Sequence, residues 1–466
     1  MKKISLLFLL TTCISAFAAD DFQNKLDRLV DASVQADAFS GNILIARHDS
    51  IIYKRSAGFA DWEKRTALND STLFNIGSIG KDFTQVLMIQ LYAAHKLNFD
   101  DPLNKYLSIF PDSIAKKITL RMLLRMESGL GDYHDRPFRN LQERLDYIKT
   151  LPMLFEPGTG QEYSNSGYVV LAAVIEKVSG QSYEENVRNR IFLPLGMMHS
   201  EFIFPGKMIA NKAAGTDIDP AGNKMTEHMI NDELTPSGDG SEYSTTSDLL
   251  KFYSSLMHDQ RLLSDEQKEF FFQRFDLKPK HTLNELKSSP NAIMGYAGGL
   301  NGWNACVDVY FGLDQVVISL CNLSDMDRPA EEINHRIVQL VRSGEYDAPK
   351  QPRFVFAYSK YKSLGVNDFT EKINSLLKAN NYEQIQGPYF FNQIGKCLLH
   401  ENRNDDAVTV LLKNTKLFPM APVAWLLLGK SYDAAGKKEE AKKAIAKCLE
   451  LDPGNREASD LLGSLK

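Results

Sequence analysis

Cysteine is scarce in this chain, with five in 466 residues, at positions 13, 306, 321, 397 and 448. Their spacing fits neither a zinc-ligand pattern nor a Cys-x-x-Cys redox pair, and no His-Glu-x-x-His segment occurs, so nothing points to a metal. An excess of one charge is missing too: 54 Lys and Arg stand against 59 Asp and Glu, for a net charge of -5. Such a mixed field offers nucleic acid no basic surface. Beyond the N-terminus no apolar run is long enough to cross a bilayer. The Gly-x-Ser-x-Gly elbow is also absent, and Gly77 to Lys81 fails as a phosphate loop because Asp82 stands where a magnesium-binding hydroxyl belongs.

What is present is the composition of a globular protein, 43% hydrophobic and 24% charged, in a chain too long for one ordinary core. Lys2 and Lys3, the apolar run Ile4 to Phe17, and Ala16-Phe17-Ala18 read as a signal peptide over residues 1–18. The expected mature protein is periplasmic or secreted, with no transmembrane anchor after cleavage. A lipid anchor on Cys13 is the rival reading, disfavoured by the threonine before it. Cys306 and Cys321 lie about symmetrically around Gly312-Leu313-Asp314, which reads as a hairpin turn, and are expected to be either a disulfide or two buried thiols.

Asn42 to Arg47 and Ile51 to Arg55 read as paired strands, and Phe83 to Leu97 as a helix apolar around most of its circumference. Helices are expected from Tyr168 to Val178, Leu249 to Met257 and Ala330 to Arg342, with strand character from Asn304 to Leu320. The proline- and charge-rich segment after Tyr346 reads as a linker, residues 346–368. Beyond it, Phe391, Ile394, Gly395, Ala407 and Pro419 recur 34 residues later as Trp425, Leu428, Gly429, Ala441 and Pro453. That period and order are those of tetratricopeptide-like helical repeats, residues 369–466.

The chemistry is expected at Ser78-Ile79-Gly80-Lys81. At the start of a helix, a serine and a lysine three apart lie on one face, so an amine reaches the hydroxyl it must deprotonate. The same spacing occurs at Ser113/Lys116, Ser359/Lys362 and Ser375/Lys378, so spacing alone selects nothing. Position does: Ser78 precedes the buried helix, whose free N–H groups and dipole favour developing negative charge.

Ser78-Ile79-Gly80-Lys81, Tyr163-Ser164-Asn165 and Gly295-Tyr296-Ala297-Gly298-Gly299-Leu300-Asn301-Gly302 stand in the order and rough spacing of three motifs of penicillin-recognising serine hydrolases. Over residues 22–345 the chain resembles the class C β-lactamase, D,D-peptidase and esterase branch of that family. The resemblance implies an α+β, β-lactamase/transpeptidase-like domain over residues 19–345, an antiparallel sheet flanked by helices plus an all-helical half. An all-α helical-repeat domain follows it.

It also implies an acyl-enzyme on Ser78, with Lys81 as base, Tyr163 as second proton carrier and Asn165 holding Lys81 and substrate. The backbone N–H groups of Ser78 and Gly299 form the oxyanion hole, with Gly298 and Gly299 admitting substrate to the strand edge. The family carries Lys or His where this chain has Tyr296, which is expected to offer substrate a hydrogen bond instead of a charge. The implied activity is hydrolysis of small esters, amides or D-amino-acid peptides without a cofactor. The alternative is a vestigial catalytic domain whose repeats bind a protein partner in the cell envelope.

Overall fold

The computed structural model describes residues 21–133, 138–202, 209–226, 235, 237–240, 242–275 and 281–465. The signal-peptide reading of residues 1–18 lies outside them. Two compact units emerge, one comprising the chain through Asp217 and Thr226–Pro349, the other Ile218–Met225 and Lys350–Lys466.

In the first unit, helix α1 (residues 21–35) precedes strands β1 (Gly41–Arg47) and β2 (Ser50–Ala57). Helices α2 (Gly80–Ala93), α3 (Asn165–Ser179) and α4 (Thr246–His258) follow. Strands β3 (Ile293–Leu300), β4 (Trp303–Tyr310) and β5 (Gln315–Cys321) and helix α5 (Pro329–Ser343) close the unit. The five strands form one sheet in the order β3-β4-β5-β1-β2, antiparallel throughout.

The sequence of β1, Gly-Asn-Ile-Leu-Ile-Ala-Arg, is apolar on both faces because it is an inner strand, and every residue but Arg47 is buried. Strand alternation sends Leu44, Ala46, Val307, Val316 and Ile318 into the large core on one side. On the other, Asn334 of α5 meets Ser319 and Asp308. β3 is an edge strand, and its glycine-rich end carries the third motif.

The helical half is built on α2 and α3, which pack together. In α3 every residue from Ser166 to Ile175 is buried, an arrangement open only to a helix enclosed by others. The Ser164 hydroxyl caps it, accepting from the Gly167 amide at 3.0 Å. Phe83 of α2 anchors the layer edge-on between Phe192 and Phe252, at 5.4 and 4.9 Å.

The second unit contains α6 (Arg353–Leu364), α7 (Val366–Ala379), α8 (Tyr389–His400), α9 (Asn404–Leu417), α10 (Pro422–Ala434), α11 (Lys438–Leu451) and α12 (Arg456–Ser464). The stretch read as a linker, 346–368, therefore contains a helix and the start of a second. Composition at its N-terminal end hid the apolar spacing of Phe354, Ala357, Tyr358 and Tyr361, which are buried together with Phe369, Ile373 and Leu377.

The 34-residue repeat has a direct physical expression. A Cβ on Gly395 would stand 2.8 Å from the Leu411 side chain, and one on Gly429 2.3 Å from Ile445 Cδ1. The same missing methyl lets α8 close on α9 and α10 on α11. Cys306, Cys321, Cys397 and Cys448 are all buried free thiols. The register explains why the first two stay apart: Cys306 faces Ser319, and Cys321 faces Asn304.

Candidate active site

Ser78 sits on a 3₁₀ turn, Gly77–Ile79, that runs directly into α2. Gly77 takes φ +51°, and its amide donates to Asn75 Oδ1 at 2.8 Å, so the turn is fixed from behind. Lys81 lies one turn on, buried, with Nζ 3.1 Å from Ser78 Oγ. The amine also donates to Asn165 Oδ1 at 2.7 Å and to the Asp239 carbonyl at 2.5 Å. Tyr163, 49% exposed, donates its hydroxyl to Ser78 Oγ at 2.6 Å. Lys81 Nζ stands 4.9 Å above the Tyr163 ring. The structure thus gathers Ser78, Lys81, Tyr163 and Asn165 into one hydrogen-bonded group.

Gly298 and Gly299 reach the same place from β3. A Cβ on Gly298 would lie 2.0 Å from the Ile76 carbonyl and 2.7 Å from the Ser78 amide nitrogen. One on Gly77 would lie 2.7 Å from the Gly299 amide nitrogen. Only glycine lets the strand edge and the serine turn approach this closely, which sets the Gly299 amide nitrogen beside that turn.

Tyr296 departs from the expected arrangement. Its ring packs between Tyr253, at 5.3 Å, and Phe271, stacked at 5.8 Å, and its hydroxyl points to Met294 Sδ at 3.7 Å. Burial pushes its phenol well above the usual range, with the nearby Asp82 charge acting in the same direction. It makes no described hydrogen bond to Ser78, Lys81 or Tyr163. Alternation along β3 turns positions 294, 296 and 298 to one inner face.

Two carboxyls lie buried beside Lys81. Burial pushes Asp82 up to about 7, against the hydrogen bond from Tyr253 at 2.6 Å and the charges of Arg274 and Lys81. Glu242 is pushed up to about 8 by burial. The exposed Arg274, in a turn after the helix Asp265–Phe272, adds its positive charge at Tyr296, Tyr168 and Asp82.

Sequence motifs gave no sign of Arg274, nor of Asp132, Tyr133, Arg144 and Asp239. Asp132 accepts from the backbone amides of Asn165 and Ser166 at 3.1 and 2.8 Å. Tyr133 and the buried Arg144 converge on the Asp239 carboxylate, with Arg144 Nη1 at 3.3 Å. Asp132 and Tyr133 directly follow Glu127-Ser128-Gly129-Leu130-Gly131.

Chemically, the group offers a hydroxyl with an amine and a phenol within hydrogen-bonding distance, the surroundings that an activated nucleophile requires. The beta-lactamase family matches residues 26–340, and a tetratricopeptide repeat matches residues 422–455. Penicillin-binding protein 4* of Bacillus subtilis (strain 168) is 29% identical over 389 residues, which are 76% of this chain and 84% of that protein. Teichoic acid D-alanine hydrolase of Staphylococcus aureus is 31% identical over 228 residues, 49% of this chain and 56% of that protein. The crystal structure of a penicillin-binding protein from Bacillus halodurans aligns with a TM-score of 0.56 at 25% identity, covering 67% of this chain and 98% of that one. With the family matched over residues 26–340, more than half of its length, the chain belongs to the beta-lactamase family of serine hydrolases and carries a tetratricopeptide repeat later in the sequence.

Proposed function

We propose that the protein is a serine acyl-hydrolase that turns over small esters, amides or D-amino-acid peptides through an acyl-enzyme on Ser78. The observation that carries this reading is the placement of Lys81 Nζ at 3.1 Å and Tyr163 Oη at 2.6 Å from one serine oxygen. Lys81, as the neutral amine, takes the hydroxyl proton while Oγ bonds to the acyl carbon. The oxyanion that forms is held by the Ser78 and Gly299 amides. As the carbonyl re-forms, the bond to the leaving group breaks and Tyr163 hands that group a proton. Water then attacks the acyl-serine and gives its proton to Tyr163; as the bond from the acyl carbon to Oγ breaks, Lys81 returns its proton to Oγ, releasing the acid and free Ser78.

The withdrawal of Tyr296 into aromatic packing favours acyl donors that need no charged partner at the third motif. Among the relatives, one is named a teichoic acid D-alanine hydrolase. D-alanyl esters therefore stand first in the substrate screen, with D-amino-acid amides and nitrocefin beside them. If residues 1–18 direct export, these substrates are met in the periplasm or outside the cell, and the helical repeats are the place for a protein partner there. No helix among the described residues is long and apolar enough to cross a membrane.

The test is covalent. A fluorophosphonate probe should label the wild-type protein on Ser78, and Ser78→Ala should lose both the label and p-nitrophenyl ester hydrolysis. Labelling that survives in Ser78→Ala sinks the assignment.

A further inference from the structure

We infer that the dipeptide Asp132-Tyr133 positions the catalytic lysine, fixing both acceptors that aim the Lys81 lone pair at Ser78. The inference rests on the reading of Lys81 as the base.

A neutral amine has two hydrogens and one lone pair. Besides Ser78, its partners are Asn165 Oδ1 at 2.7 Å and the Asp239 carbonyl at 2.5 Å. With both of these accepting, the hydrogens are used and the lone pair is left facing Oγ. The arrangement fails if either acceptor turns away, and neither is fixed by its own residue.

A side-chain amide can rotate to present NH₂ in place of oxygen. Here Asp132 Oδ2 takes the Asn165 Nδ2 group at 3.3 Å, together with the Asn165 amide at 3.1 Å. Its other oxygen takes the Ser166 amide at 2.8 Å. An ionised carboxylate only accepts, so the NH₂ must face Asp132 and the oxygen must face Lys81.

The Asp239 carbonyl lies between Gly238, at φ +84°, and Gly240, at φ +137°. Local backbone preference does little to orient a peptide flanked by two glycines. The side chain of Asp239 supplies the anchor. It accepts from the Tyr133 hydroxyl, from Ser237 at 2.6 Å, and from Arg144 at 3.3 Å. Arg144 also donates to Tyr133 Oη at 2.7 Å and lies 5.2 Å over its ring, so tyrosine and arginine lock each other. Consecutive residues therefore control the two acceptors, Asp132 through Asn165 and Tyr133 through Asp239.

The test is steady-state hydrolysis of a p-nitrophenyl ester by full-length Asp132→Asn, Tyr133→Phe and Ser78→Ala, each with a thermal melt. The Asp132→Asn change keeps the size of the side chain but introduces an NH₂ that admits the turned amide. It should lose about 10- to 100-fold in kcat, a part of what a general base contributes. KM should stay within about twofold and melting within a few degrees, a split that a purely structural role does not produce. Tyr133→Phe should lose about 5-fold or more in the same way. If Asp132→Asn does not fold, Tyr133→Phe decides alone, since it removes only one oxygen. Both variants within twofold of wild type in kcat, beside an inactive Ser78→Ala, overturn the inference. An active Ser78→Ala overturns the reading beneath it instead.

Discussion

Gly80 and Glu242 share a space that any side chain on Gly80 would fill: a Cβ there would stand 1.8 Å from Glu242 Oε2. The glycine of Ser78-Ile79-Gly80-Lys81 thus makes room for a buried acid directly beneath the nucleophile turn.

That acid makes stability depend on pH. Burial raises the Glu242 carboxyl from 4.5 to about 8, so between those values the folded chain holds a proton that the unfolded chain has released. The contribution is fully present below about 4.5 and is lost as pH rises toward 8, by up to roughly 5 kcal/mol for so large a shift. Asp82, raised to about 7, acts in the same direction. Because Asp82 is common to both proteins, comparison with Glu242→Gln isolates the glutamate. The melting temperature of Glu242→Gln relative to wild type should rise by roughly 5 °C between pH 5 and pH 8.5. A difference that stays flat with pH shows that Glu242 titrates normally.

Gly298→Ala should separate folding from chemistry. The added methyl meets backbone, the Ile76 carbonyl at 2.0 Å and the Ser78 amide at 2.7 Å, and neither can swing aside as a side chain does. The strand must retreat from the serine turn, taking the Gly299 donor with it. Loss of an oxyanion donor costs about 100- to 1000-fold in rate. The rate of labelling by a fluorophosphonate should fall by that order in a protein whose circular dichroism is unchanged. Labelling at the wild-type rate would place the oxyanion hole elsewhere.

Tyr296 gives a sharper contrast. Its hydroxyl contacts only Met294 Sδ among the described hydrogen bonds, so Tyr296→Phe should keep kcat/KM within about threefold. Tyr296→Lys restores the family's residue but drives an ammonium between Tyr253 and Phe271. Removing the stacked ring and burying a charge should cost about 3 kcal/mol or more, read as a lower melting temperature. A tenfold loss in Tyr296→Phe would instead put the phenol on the substrate.

These cases show what the sequence made legible. Ser78 and Lys81 could be paired because their contact is local, set by helix geometry alone. Tyr163, Asn165 and Gly299 followed from the order of motifs. The inward turn of Tyr296 depends on the register of an edge strand, Ile293–Leu300, to which the strand reading of residues 304–320 did not extend. Asp132, Arg144 and Asp239 come from separate segments with no shared period, so only the folded chain brings them to one carboxylate. The helix Arg353–Leu364 is hidden in the sequence because the prolines just before it have the composition of a linker, while its apolar spacing spans barely two turns.

The repeats allow a prediction that uses one as the control for the other. Gly395 faces Leu411 and Gly429 faces Ile445, at equivalent positions 34 residues apart. At Gly429 the added methyl would lie 2.3 Å from Ile445 Cδ1 and 2.6 Å from Cγ1, whereas at Gly395 the nearest Leu411 atoms are 2.8 Å away. Both contacts are with flexible side chains, so each helix pair yields by repacking, at the usual cost of overpacking, about 1–3 kcal/mol. The closer contact should cost more. Hydrogen exchange in the full chain should therefore speed up over α10 and α11 in Gly429→Ala more than over α8 and α9 in Gly395→Ala. Trimming the opposing residue should undo the effect, so Gly429→Ala with Ile445→Val should recover part of the protection that Gly429→Ala loses. That recovery is specific to a clash, because the lower chain entropy of alanine is common to the single and double variants, and the methylene lost with Ile445→Val would by itself lower protection further.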